Sequence, residues 1–274
     1  MSTTTNTINA ANNPNLVNSL VEKALAEPEE KDKKVDVKFP TDSTVELPGG
    51  YISPAGEVVR TAEVRELTGR DEEAIARSGS IPRAMNTILA RGVVKVGSDA
   101  ATEEVLDLLL GGDRDELLLG IYRVTFGNPA ELSGYCGTCD VVKDVSVDLH
   151  TDIKRKVLVD SANDRNFTVT GRKGVEYDVT LPIGKAQREM SDNLEKTGPE
   201  LATILLTHCV EKINGMAVYD KRQILDIGAS DRDLIAQEIS TRISGPQFDD
   251  ITVTCNDCGE EVVVPINVGR LFRL

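Results

Sequence analysis

Residues 230–268 read SDRDLIAQEISTRISGPQFDDITVTCNDCGEEVVVPINV, and residues 112–149 read GDRDELLLGIYRVTFGNPAELSGYCGTCDVVKDVSVDL. Each begins with a small residue followed by Asp-Arg-Asp: Asp113-Arg114-Asp115 and Asp231-Arg232-Asp233. Each continues as an amphipathic helical pattern of about four turns. Each stops at glycine beside a Pro-containing turn, "FGNP" and "SGPQ", which are helix-ending signals. A C-x-x-C and an alternating strand then follow in both. The stretches from Asp113 to Cys136 and from Asp231 to Cys255 differ in length by one residue. The pattern predicts a duplicated helix–turn–knuckle–strand unit, each copy carrying half of one metal site.

Cys136 and Cys139 form the first pair, Cys255 and Cys258 the second, with about 115 residues between them. That gap is far wider than in an ordinary zinc ribbon, so it is the matching flanks that join the pairs. Two knuckles give a tetrahedral S₄ set, the donor set of a structural Zn²⁺. With every position filled by protein, such a site is structural. A thioredoxin-like dithiol requires C-x-x-C at a helix N-terminus after a strand, and here strands follow the cysteines. Cys209 reads as a buried core thiol. His150 and His208 have no partner at ligand spacing.

The remaining chain reads as α+β, helices mixed with short antiparallel strands and no βαβ rhythm. Residues 1–40 form an acidic, polar tail whose composition predicts disorder; helical spacing at Leu16, Val17, Leu20, Val21 and Leu25 marks a candidate helix inside it. Residues 41–98 read as an N-terminal β-hairpin region plus helices, with Thr68 and Asp71 ordered as a capping box. Residues 99–274 read as a zinc-stapled domain, two helices splitting at Gly111-Gly112 and a β-rich insertion lying around 151–183. "GPELATILLTHCVEKING" is read as one helix.

Composition narrows the function. The net charge is −14, which repels phosphate backbones and anionic membrane surfaces. Aromatic residues make up 4% and Trp is absent, which leaves little for base stacking. No secretory signal is read in the opening MSTTTNTINAANNPNLVNSL, and no run approaches a membrane span. No glycine pattern matches a phosphate loop. The Asp-Arg-Asp heads read as helix N-terminal acids complementing the dipole, not as a carboxylate dyad. Lys154, Arg155 and Lys156 form a small basic cluster, the one feature on the side of a zinc-ribbon nucleic-acid-binding regulator.

The helix-plus-C-x-x-C units, the front "VELPGGYISPAGEVVRTAEVRELTGRDEE" and the terminal "CNDCGEEVVVPINVGRLF" resemble the baseplate hub assembly chaperones, or tail assembly proteins, of contractile-tailed phages. The resemblance covers residues 45–274. It implies a non-enzymatic factor, chaperone or scaffold, acting on hub or tape-measure proteins in the host cytoplasm, with a component retained in the virion tail as the alternative. Leu271, Phe272 and Leu274 at the chain end are the expected partner-binding residues.

Overall fold

In the computed structural model the described residues are 43–248 and 251–274; the candidate helix at 16–25 lies outside them. All of them fall in the unit Phe39–Leu274. The chain begins with a hairpin, β1 (Thr44–Ile52) and β2 (Val58–Val64), followed by helices α1 (Gly69–Ala76) and α2 (Ile81–Gly92). A short hairpin, β3 (Val93–Val96) and β4 (Asp99–Ala100), leads to α3 (Glu103–Leu108) and the long α4 (Gly111–Phe126). Thr68 and Asp71 close the capping box of α1 as read, the Thr68 N–H donating to Asp71 Oδ2 at 2.9 Å.

The same series then recurs. Strands β8 (Asn166–Thr170) and β9 (Glu176–Thr180) precede α5 (Gly184–Asp192) and α6 (Gly198–Cys209). Strands β10 (Val210–Ile213) and β11 (Met216–Ala217) precede α7 (Lys221–Leu225) and α8 (Ala229–Arg242). The two sheets have the same order, β1-β2-β3-β4 and β8-β9-β10-β11, with every pairing antiparallel. The duplication therefore extends well upstream of the Asp-Arg-Asp helices, to whole ββαα-ββαα repeats at 44–126 and 166–242.

Both repeats are held by the same polar joint. Arg114 donates to the Leu106 carbonyl at 2.9 Å and to Asn86 Oδ1 at 2.6 Å. Arg232 donates to the Ile224 carbonyl at 3.1 Å and to Thr203 Oγ1 at 2.7 Å. Counted from the helix starts, Asn86 and Thr203 occupy the same position in α2 and α6. The leading aspartates do not cap their own helices, whose N-caps are Leu110 and Gly228. They reach across to the hairpins. Asp113 accepts the Gly49 N–H at 2.6 Å, while Asp231 accepts the Arg172 N–H at 3.1 Å and the Tyr177 hydroxyl at 3.0 Å.

Two further sequence readings are corrected. The break before α4 falls at Leu109–Leu110, leaving Gly111 and Gly112 inside its first turn. The helix of "GPELATILLTHCVEKING" ends at Cys209, and Val210–Ile213 are strand. Asn214 and Gly215, both at positive φ (49° and 76°), turn it back onto β11, the geometry of a type I′ hairpin.

Each repeat has its own apolar core. One lies between the first sheet and α2 and α4, around Tyr51, Ile88, Leu117 and Ile121. The other lies between the second sheet and α6 and α8, around Tyr177, Leu206, Ile235 and Ile239. The repeats meet where α5 packs on α2 and α3, with Asn86 donating to Ser191 Oγ at 2.9 Å and Arg188 paired with Glu103 and Asp107.

Candidate metal centre

Each repeat is followed by a hairpin with a C-x-x-C at its tip. After α4 come β5 (Ala130–Cys136) and β6 (Val141–Val147). After α8, a short bridge, β12 (Gly245–Pro246) on β7 (Arg155–Lys156), leads to β13 (Ile251–Thr254) and β14 (Glu261–Val264). Strand β14 pairs with β5, giving one four-stranded ribbon of order β13-β14-β5-β6. Alternation decides which side is dry: Ala130, Leu132, Cys136, Val262 and Val264 turn inward onto Leu149 and Leu271.

The pairing of β14 with β5 brings the two tips together. The Sγ atoms of Cys136, Cys139, Cys255 and Cys258 all lie within 4.8 Å of one another. Cys136 Sγ is 3.5 Å from Cys258 Sγ, and Cys139 Sγ is 3.9 Å from Cys255 Sγ. Four sulfurs each ~2.3 Å from a central ion in a tetrahedron stand ~3.8 Å apart, so the set fits a single metal ion. In both tips the residue after the second cysteine takes positive φ, Asp140 at 55° and Gly259 at 76°. The backbone N–H groups of Cys258 and Asp257 point at Cys255 Sγ and bring its pKa down to about 6, which prepares a thiolate ligand. Cys139 moves the other way, to about 12, because it shares hydrogen bonds with Cys258 and then loses solvation; a bound cation reverses that direction. Lys143 on β6 forms an ion pair with Asp257 between the second pair's cysteines, tying the two tips across the site.

Cys209 lies outside this cluster, in the core of the second repeat, and burial pushes its thiol up to about 12. His208 bonds Glu189 at 2.7 Å and His150 sits 3.5 Å from Arg123, each away from the four sulfurs. Of the basic cluster only Arg155 turns inward, while Lys154 and Lys156 stay exposed. Arg155 forms a paired contact with buried Glu116 and donates to the carbonyls of Leu149, His150 and Ile153, while Lys156 donates to the Thr241 carbonyl.

The chain end folds back as α9 (Val268–Leu271). Arg270 anchors it by donating to the carbonyls of Ser133 at 2.7 Å and Pro265 at 3.0 Å. Leu271 is 4% exposed and belongs to the core under the ribbon, so it cannot meet a partner without unfolding the end of the chain. Phe272 packs edge-on against Tyr122 and Phe126, with centroids 5.5 and 6.2 Å away. Leu274 is 37% exposed. Phe272 and Leu274 wall an apolar groove of about 570 Å³ that also involves α1, α2 and Phe126. The sequence reading missed Ile75, Ile81 and Phe126 in that groove; the available signal was Tyr122 and Phe126, two aromatics four residues apart on one helix face in a chain with 4% aromatics.

The sequence profile of the family described as T4 bacteriophage base plate protein matches residues 40–272. The chain belongs to that family, a class of phage baseplate proteins, here with a four-cysteine cluster able to hold a metal ion. Comparison with curated proteins and with solved structures finds no match. Among the described residues no helix is long and apolar enough to cross a membrane.

Proposed function

We propose that this protein is a non-enzymatic assembly factor, a chaperone or scaffold for the baseplate hub or its tape measure, with Zn²⁺ as a structural ion. The observation that carries the reading is family membership across residues 40–272. The donor set supports the ion: four thiolates favour a soft tetrahedral metal and leave no position for water. The pairing of Arg155 with buried Glu116, together with the −14 net charge, weighs against the nucleic-acid regulator. An assembly factor covers apolar surface on an unassembled subunit that would otherwise pair wrongly. The groove walled by Phe272 and Leu274 is the surface offered for this.

A second reading, a structural component kept in the virion, is favoured by the family's own description as base plate protein. Affinity purification of the full chain from infected cells, alongside analysis of purified virions, separates the two. A chaperone is recovered with hub or tape-measure protein in assembly intermediates and is absent from virions. Stoichiometric presence in virions selects the structural component. Recovery of nucleic acid without tail proteins overturns both.

A further inference from the structure

The two repeats present the same helical face, and among the described residues only one copy is covered by the other repeat. In the second repeat the face is built from α5 and α6, with Gln187, Met190, Ser191 and Leu201, and it lies against Pro82, Met85 and Leu89 of α2 and Leu118 of α4 around a cavity of about 280 Å³. Counted from the helix starts, Glu72, Ile75 and Ala76 of α1 match Gln187, Met190 and Ser191 of α5, and Ala84 of α2 matches Leu201 of α6. These four α1 and α2 residues line the groove of about 570 Å³. Ser191 is buried beneath the other repeat; Ala76, at the same position, is exposed. Repeats packed head to tail leave one copy of the contact surface without a partner repeat among the described residues.

The internal contact also indicates what the open copy accepts. Pro82, Met85 and Leu89 stand at i, i+3 and i+7, one stripe of an amphipathic helix. We infer that the groove of the first repeat is a docking site for an amphipathic helix of another protein, carrying an apolar stripe at that spacing, as α2 does for the second repeat. Among the described residues a second copy of this chain does not supply such a helix from α2 or α6. Its α2 stripe is covered by its own second repeat, and the matching positions of α6, Pro199, Ala202 and Leu206, carry only a small side chain where α2 has Met85. Two large side chains stand ready at the groove: Ile81 is 46% and Phe126 54% exposed, values that suit anchors of a helix-in-groove contact.

This inference rests on the assembly role proposed above. Its test places a photo-crosslinking phenylalanine analogue at position 81 or 126 of the full chain in infected cells, with adducts mapped to single residues. The expected result is that both positions label one segment of one tail protein, at residues three or four apart. Ile81→Asp and Phe126→Glu should each lower co-purification of that protein by about tenfold or more with melting temperature unchanged; two variants guard against a folding defect in either. Adducts on a second copy of this chain, on residues spaced by two as in a strand, or none while the wild type still co-purifies with tail protein, overturn the groove and leave the assembly role standing. Failure of the wild type to co-purify with any tail protein overturns both.

Discussion

The two repeats share a chain path and an arginine joint, yet they differ in how deeply their last helix is enclosed. In α4, every residue from Gly111 to Ile121 except Asp115 is buried, charged Asp113, Arg114 and Glu116 included. In α8 only Asp231, Ile235 and Ile239 are buried. Helix α4 meets its own sheet, α2, β12 and α9, which together enclose it from Gly111 to Ile121 apart from Asp115. Its first turn passes β12 so closely that a Cβ on Gly112 would come 1.7 Å from the Ser244 carbonyl oxygen. One fold thus serves twice, once as the centre of packing and once with a single buried stripe. Equivalent substitutions in the two copies should therefore not have equivalent effects.

The largest effect is expected where the copies are joined. Cys136→Ser and Cys255→Ser, one on each hairpin, should each abolish metal retention and lower stability by roughly 3 kcal/mol or more, because binding of a structural metal is coupled to folding. The double variant should cost little beyond either single one, since residues acting as a unit are not additive. Thermal melts with and without a chelator check this; additive losses would mean that the hairpins do not share an ion.

The arginine joints come next. Arg114→Ala leaves the Leu106 carbonyl and Asn86 without their donor in a dry setting and should cost about 3 kcal/mol. Arg232→Ala removes the matching contacts from a half-buried site, where water can replace them, and should cost about 1 kcal/mol. Urea midpoints of the two variants measure the difference, and equal losses would contradict the contrast in enclosure.

The aspartates should differ in sign. Asp231 has both oxygens bonded, so Asp231→Asn turns one acceptor into a donor facing a hydroxyl and should destabilise by about 1 kcal/mol. Asp113 accepts Gly49 through Oδ1, and its Oδ2 has no hydrogen-bond partner among the described residues. A Cβ built on Gly49 would lie 2.7 Å from Ser244 Oγ and 3.0 Å from Asp113 Oδ2, so these two oxygens flank one point. Burial raises the Asp113 pKa to about 6, against the pull of the Gly49 N–H and of Arg165 and Arg60. A carboxyl with a raised folded pKa binds its proton more tightly when folded. Its contribution to stability is full below the unfolded pKa near 4 and falls as pH rises to about 6, by on the order of 2–3 kcal/mol. Asp113→Asn keeps the Gly49 contact, offers a donor toward Ser244, and should be neutral to stabilising at pH 7 while flattening that slope. Melts between pH 4 and 7 report it.

The parts of this architecture that were legible in the sequence are those with local chemistry. Thr68 and Asp71 announced a capping box, and the paired Asp-Arg-Asp and C-x-x-C elements announced both the duplication and the cysteine cluster. The upstream half of each repeat was hidden because it conserves roles without residues: Asn86 and Thr203 answer the two arginines, and Gly92 and Cys209 end the two helices. Strand β10 was masked by apolar spacing that runs on past Cys209, although Asn214-Gly215 is itself a strong hairpin signal. The groove was legible only at Phe272 and Leu274, since Ile75 and Phe126 meet them only by the return of the chain end over α4.

Native mass spectrometry of the purified chain, combined with alkylation of its thiols, asks whether one shared ion clamps the two copies of the fold. The expected result is one zinc per chain, with Cys136, Cys139, Cys255 and Cys258 protected together and becoming reactive together once the metal is removed. Two ions per chain, none, or protection of one cysteine pair while the other reacts would contradict it.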